Sequence, residues 1–267
     1  MSERPPVVPI VMYHAVTSAP APAVRALSVP PEAFAAQVAV LADAGFTPLT
    51  TAALAAAWRS GGPLPAKPVL ITFDDGYEGV YRHALPALAR HGFPATLFVS
   101  TGWLPGPYDT GGALDTMLDW DQVRKLAAAG VEIGGHSHSH PQLDGLGDAR
   151  LRHEVLRCKE IIAEQVGTPP ESFAYPYGHS SRRVRRTVRA LGFSQALAVG
   201  NALAARRQGP YALARLTVRR RTDTEEFARI IEGRGLVRAF AGDRVLTKGY
   251  AVVRRARQAV RLCTPGR

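Results

Sequence analysis

Val69-Leu70-Ile71-Thr72-Phe73-Asp74-Asp75-Gly76 joins five residues suited to a fully buried strand to two adjacent carboxylates and a turn-forming glycine. A strand buried on both faces belongs to a parallel sheet covered by helices, and the sequence on either side has that rhythm. Upstream, residues 7–13 read as the first strand. Residues 31–44 follow as a helix with Phe34, Val38 and Leu41 at helical spacing, closing at Gly45. Downstream come a helix over 80–91 stopped by Gly92 and a third strand over 94–100. A helix over 119–130 feeds a strand at 131–134, and a long amphipathic helix spans 150–166. Phe173 and Ala174 begin another strand. A helix over 182–191, a strand over 193–199, a closing strand within 212–218 and a last helix over 224–232 complete the pattern.

Composition fits one such unit. With 267 residues, 46% of them hydrophobic, the chain can bury one large core, and parallel barrels of this length are commonly single domains. Lys and Arg number 33 against 22 Asp and Glu, a net charge of +11. That excess favours an anionic partner without choosing among lipid, acidic glycan and nucleic acid. Biased genome composition explains an arginine excess in an alanine-rich chain equally well. No nucleic-acid recognition module accompanies the charge, so specific nucleic-acid binding is not expected. Two cysteines, Cys158 and Cys263, give neither a disulfide framework nor a cysteine metal knuckle. Residues 1–9 show no secretory signal, and 18 uncharged apolar residues never run together, so the expected location is the cytoplasm.

Adjacent acids at the end of a buried strand are costly unless they bind a cation or move protons. Alone, Asp-Asp-Gly more often marks a turn with one acid capping a helix. A second segment changes that balance. Gly134-Gly135-His136-Ser137-His138-Ser139-His140-Pro141 places three of the eight histidines within five residues after another apolar strand. Two neutral imidazoles with one carboxylate hold zinc or a similar metal and leave positions open for water and substrate. Both segments fall at the same rim of the expected barrel. A third run, Phe173-Ala174-Tyr175-Pro176-Tyr177-Gly178, ends a later strand.

In this order the three runs resemble the motifs of the polysaccharide deacetylase family, carbohydrate esterase family 4 or the NodB homology domain, across residues 7–230. The resemblance implies an α/β fold, a distorted (β/α)7 barrel with its site at the strand carboxyl ends. It implies Asp74 as general base and Asp75, His136 and His140 as ligands of one divalent metal ion. Zinc leads, with cobalt, nickel, manganese and iron compatible with the same donors. It implies too that Ser137 buttresses the histidine loop and that Tyr177 offers its backbone N–H to the oxyanion, while His138, at a variable motif position, is structural or supports the ligands from behind. Tyr175 and Pro176 belong beside the substrate, Tyr175 stacking on a sugar face. The implied reaction is hydrolysis of an acetyl group, N-acetyl first, from an amino sugar or glycan, with release of acetate. Expected substrates are an N-acetylated sugar, an oligosaccharide or a lipid-linked glycan. An O-acetyl esterase and a noncatalytic, metal-retaining carbohydrate-binding barrel are the alternatives, and the second has little need for all four residues together.

Two departures refine this reading. No histidine follows His179, although the family usually supplies its general acid from a Leu-x-His motif near the domain's end. A circularly permuted subset carries the acid in an N-terminal Tyr-His pair, and Tyr13-His14 follows the first strand here, so His14 is the expected acid. Ala174 stands where many relatives carry an arginine that orients the base. Arg215, on the proposed closing strand, is expected to pair with Asp74 instead. Tyr77, Trp103, Tyr108 and Trp120 lie near the site loops. The segment 102–118 is long for a strand-to-helix connection and is expected to shape substrate choice. Asp115 and Asp119 read as helix-start residues. The chain divides into an N-terminal extension (1–6), a catalytic domain (7–235) and a basic tail (236–267). The tail reads first as a solvated chain end, with an anionic membrane surface as the alternative.

Overall fold

Seven short parallel strands, almost wholly buried, form the centre of the computed structural model, which describes residues 7–242. They are β1 (Ile10–Tyr13), β2 (Pro68–Phe73), β3 (Thr96–Val99), β4 (Glu132–Gly135), β5 (Ser172–Ala174), β6 (Gln195–Leu197) and β7 (Leu216–Thr217). From β1 to β6 each strand pairs with the next, and β7 returns to pair with β1 through Leu216 and Val11. Leu213, just ahead of β7, bridges in parallel to Leu197 of β6, so the ends of the curled sheet meet. The curl is uneven, since β4 and β5 share a single register pair, Gly135 with Phe173. The fold is the distorted α/β barrel that the sequence implies.

Alternation along each strand sorts side chains into two cores. Ile10, Leu70, Phe98, Ala174 and Leu197 point into the barrel. Val11, Tyr13, Ile71, Phe73, Leu97 and Val99 point outward, beneath helices that include α1 (Pro31–Asp43), α3 (Leu85–Ala89), α4 (Trp120–Ala128) and α7 (Thr224–Ile231). Helix α5 (Asp148–Val166) and α6 (Arg182–Ala190) cover a third cluster containing Phe173 and Tyr175.

Helix α2 (Thr51–Ser60) and the strand Thr47–Leu49 before it were not anticipated, because an alanine-rich run has little hydrophobic periodicity. Thr50 caps α2 and left-handed Gly61 ends it. This helix closes the barrel's amino-terminal mouth. Leu54 enters the interior, the Thr51 N–H donates to Thr96 Oγ1, and the Ala52 N–H donates to the half-buried Glu132 carboxylate.

Other boundaries also move. The expected first strand breaks at Pro9, which lacks an N–H, and Val7–Val8 pairs antiparallel with Ala204–Ala205 instead. The helix expected over 80–91 opens as a wide π turn, Val80–Ala84. Packing continues past the expected domain end at 235. Helix α8 (Leu236–Ala239) leads to Phe240, which is buried in the outer core. Residues 1–6 and most of the expected basic tail, including Cys263, lie outside the described residues. Among the described residues, no helix is long and apolar enough to cross a membrane.

The loops after β1 and β2 touch at Gly79, where an added Cβ would sit 2.0 Å from the Val16 carbonyl oxygen. Gly79→Ala is expected to cost about 1–3 kcal/mol by overpacking. Ala at Gly145, where a Cβ meets nothing within 4 Å, is expected to stay within about 0.5 kcal/mol of wild type. Urea unfolding of both variants measures the contrast.

Candidate active site

Asp74 is the first residue past β2, held in place by an N–H bond to the Tyr13 carbonyl. Its carboxylate receives a two-pronged contact from Arg215, Nη1 to Oδ1 at 2.6 Å and Nη2 to Oδ2 at 2.7 Å. Arg215 is completely buried, and its remaining donors reach Ala198 O and Thr72 Oγ1. Burial pushes the Asp74 carboxyl up, but the Arg215 charge outweighs it and holds the group below the ordinary carboxylate range. Asp75 follows in the left-handed region at φ 73, which turns its side chain away from that of Asp74 and across the rim.

On the neighbouring rim, the His136 N–H continues the ladder to Val99 O, and its Nδ1 lies 2.8 Å from Ala174 O. A proton on Nδ1 therefore leaves Nε2 with its lone pair facing the site. Ser137 and His140 are both left-handed, at φ 66 and 56, and fold the loop back on itself. The Ser137 hydroxyl accepts the His140 N–H at 3.1 Å. Glu154 of α5 clamps the same loop, accepting from the N–H groups of His138 and Ser139 and from the Ser139 hydroxyl. Sequence reasoning missed Glu154. The signal was its helical phase, since Leu151, Val155 and Cys158 bury the same face.

Asp75, His136 and His140 offer donor atoms that all lie within 4.8 Å of one another. Asp75 Oδ1 is 3.4 Å from His136 Nε2 and 3.3 Å from His140 Nε2, yet it is buried without a properly formed hydrogen bond. Charge-assisted bonds between these groups run about 2.7–2.9 Å. Two donors bound about 2.0–2.1 Å from a tetrahedral cation lie about 3.3–3.4 Å apart. The three residues therefore fit a cation better than they fit each other. Burial and the neighbouring His136 push His140 down to about 4, which keeps it neutral, as a ligand must be. Burial also lowers His136, but Asp74 and Asp75 outweigh it and raise the group.

These groups share a cleft of about 370 Å³. His14 lines it from the end of β1, with its buried Nδ1 lacking a hydrogen-bond partner. Burial lowers its pKa against the opposing charges of Asp75 and Asp74. Tyr177, left-handed at φ 58, stands at the mouth with its ring 4.9 Å from His140, and the Trp103 ring lies 4.5 Å from the same imidazole. The long loop forms part of the same wall through Gly112 and Leu114 and is knit to the histidine loop by a Gly102 N–H bond to His138 O.

Several expected positions are corrected. Tyr175 cannot stack on a sugar, because it is completely buried, packs on Phe173 and donates its hydroxyl to Tyr211 O. Strand alternation is the reason: Phe173 and Tyr175 face outward under the helices while Ala174 faces the barrel. Pro176 is buried too and does not line the cleft. Tyr108 pairs with Glu164 and Arg157 away from the site, and Trp120 is buried at the start of α4. Asp119 does cap α4, whereas Asp115 starts no helix and instead accepts the Ala21 N–H. His138 turns out of the cluster toward Thr101 Oγ1.

A parallel barrel whose carboxyl rim gathers one carboxylate and two imidazoles beside a second, arginine-held carboxylate has the layout of a metal-assisted hydrolase. The polysaccharide deacetylase family model matches residues 61–196, just over half of the chain, and the chain belongs to that family. YxkH of Bacillus subtilis (strain 168), whose name assigns it provisionally to the polysaccharide deacetylases, is 28% identical over 217 residues, covering 81% of this chain and 73% of its own. The poly-β-1,6-N-acetyl-D-glucosamine N-deacetylase of Escherichia coli (strain K12) is 27% identical over 215 residues, covering 67% of this chain. This chain spans only 32% of that relative's length. In fold, the Streptococcus pyogenes deacetylase PplD, solved in complex with acetate, superposes with a TM-score of 0.76 at 24% identity, covering 85% of this chain and 99% of its own.

Two measurements follow from this geometry. Hydrogen bonds that orient metal ligands are typically worth about 10–100-fold in affinity; Glu154 holds the loop that carries His140, so Glu154→Ala should weaken zinc binding by about that factor in competition with a chromophoric chelator. Arg215→Met leaves the buried Asp74 without its cation, at a cost of about 3–5 kcal/mol. In the wild type Asp74 lies below its unfolded value of about 3.9, so its contribution to stability is present above that pH and lost as pH falls through the folded value. With Arg215 gone, burial is opposed only by the charges of His136 and His14, and Asp74 should rise. The acid-unfolding midpoint of the variant, followed by circular dichroism, should therefore move to higher pH.

Proposed function

We propose that this protein hydrolyses the N-acetyl group of an amino sugar in a glycan, releasing acetate and leaving the free amine. The observation that carries this reading is the sharing of one cleft by the Asp75, His136 and His140 cluster with arginine-held Asp74 and with His14. The named substrate of the Escherichia coli relative, an N-acetylglucosamine polymer, supports an N-acetylated sugar, oligosaccharide or lipid-linked glycan as the substrate class here.

Asp75, His136 and His140 would hold one divalent ion, zinc in the first place, and such an ion when bound supplies a Lewis acid that polarises the acetyl carbonyl and acidifies water. Asp74, ionised and fixed in direction by Arg215, takes a proton from the attacking water as the water oxygen bonds to the carbonyl carbon. The Tyr177 backbone N–H stabilises the resulting oxyanion. As the carbon–nitrogen bond breaks, the departing nitrogen takes a proton from His14. Burial makes the protonated form of His14 a strong donor. Ser137 and Glu154 keep the histidine loop in shape throughout.

Acetate release from N-acetylglucosamine oligomers by the zinc-loaded protein tests the assignment. Asp74→Asn should lower kcat by roughly 10²–10⁴, the usual worth of a positioned base, and chelation should abolish release. His14→Ala should slow amide hydrolysis strongly but affect an activated acetyl ester much less, because that leaving group departs without a proton. Undiminished release by Asp74→Asn would remove Asp74 as the base.

A further inference from the structure

The opposite end of the barrel holds a second cavity, of about 520 Å³, within the span of roughly 300–1,000 Å³ common to small-molecule sites. Gln195 lines it as the first residue of β6, whereas Asp74 and His136 follow the last residues of β2 and β4, so the two cavities lie at opposite rims. Trp58 and Arg59 of α2, Arg189 of α6, and Arg206 and Tyr211 of the segment before β7 also line it.

Three features of this cavity call for a ligand. Gln195 is only 1% exposed, and its Oε1 has no hydrogen-bond partner. A buried acceptor at a cavity wall is satisfied by whatever donor fills the cavity, and a ligand that carries one takes the place of water there. Arg59, Arg189 and Arg206 are exposed around the opening, and none forms an ion pair with a carboxylate among the described residues. Trp58 and Tyr211 add flat apolar surface, and the Tyr211 hydroxyl is already given to Phe193 O at 2.8 Å, which leaves its ring for contact.

The occupant therefore needs a neutral hydrogen-bond donor, a negative charge and a flat apolar face. We infer that this cavity binds a saccharide bearing one anionic group, phosphate or carboxylate. A sugar hydroxyl donates to Gln195 Oε1, the ring lies against Trp58, and the guanidiniums take the anion. Neither the Asp75, His136 and His140 cluster nor Asp74 takes part, so this site stands apart from the proposed hydrolysis.

Calorimetry and tryptophan fluorescence on the full chain test it, with glucose 6-phosphate and glucuronate as probes and glucose, inorganic phosphate and adenosine monophosphate as comparators. At least one anionic sugar should bind saturably and at least tenfold tighter than every comparator. That binding should persist in Asp74→Asn and weaken tenfold or more in the Arg189→Ala/Arg206→Ala double variant, whose changes lie on exposed side chains. Gln195→Leu should weaken it as well. Binding of glucose 6-phosphate alone would assign the anion as phosphate, and of glucuronate alone as carboxylate. Absence of saturable binding, inorganic phosphate or the nucleotide binding as tightly as the sugars, or full affinity in the arginine double variant would overturn the inference.

Discussion

A fully buried arginine forked onto a buried carboxylate is the interaction on which the rest of this structure depends. Arg215 reaches inward from the segment that closes the barrel and meets Asp74 at the end of β2. Neither charge is tolerable alone in that environment. Thr72 and the Ala198 carbonyl accept further guanidinium hydrogens, and the Phe98 ring lies 5.7 Å away. One contact thus fastens the last strand to the second, fixes the direction of the carboxylate and keeps it ionised.

Around that fork the rim is built from backbone that most side chains avoid. Asp75, Ser137, His140 and Tyr177 all adopt left-handed conformations, each disfavoured by about 1–2 kcal/mol for a residue with a Cβ. Ladder bonds extended one residue past the strands, the Ser137 hydroxyl and the Glu154 carboxylate hold these turns against their own preference. Strain of this kind collects where side chains must converge, and here it brings groups from three strands to one point.

What could be read from the sequence was whatever a local pattern encodes. An apolar run ending in Asp74-Asp75 and another ending in His136 announce themselves, because strand burial and carboxyl-rim placement follow from neighbours in the chain. Arg215 was legible only through a gap, since Ala174 leaves the base without an orienting cation and a later strand carries a candidate. Tyr175 was misjudged because its motif names the residue but not its face, and the two-residue period of β5 turns it away from the cleft. Glu154 hid among the other acids of α5, and only its phase with the apolar stripe separates it from the solvated ones. Helix α2 was missed for want of periodicity, although its cap and terminal glycine were present.

Strand order has a consequence for biosynthesis. β1 lies between β2 and β7, so the first barrel strand to leave the ribosome keeps an open edge until the last one appears. Asp74 and Arg215 are 141 residues apart, an interval of roughly 7–28 s at ordinary elongation rates of about 5–20 residues per second. Over that time the nascent sheet carries Asp74 without the arginine that neutralises it, and edges open to wrong partners. The barrel can close only once residues 215–217 are available to pair with β1 and with Asp74.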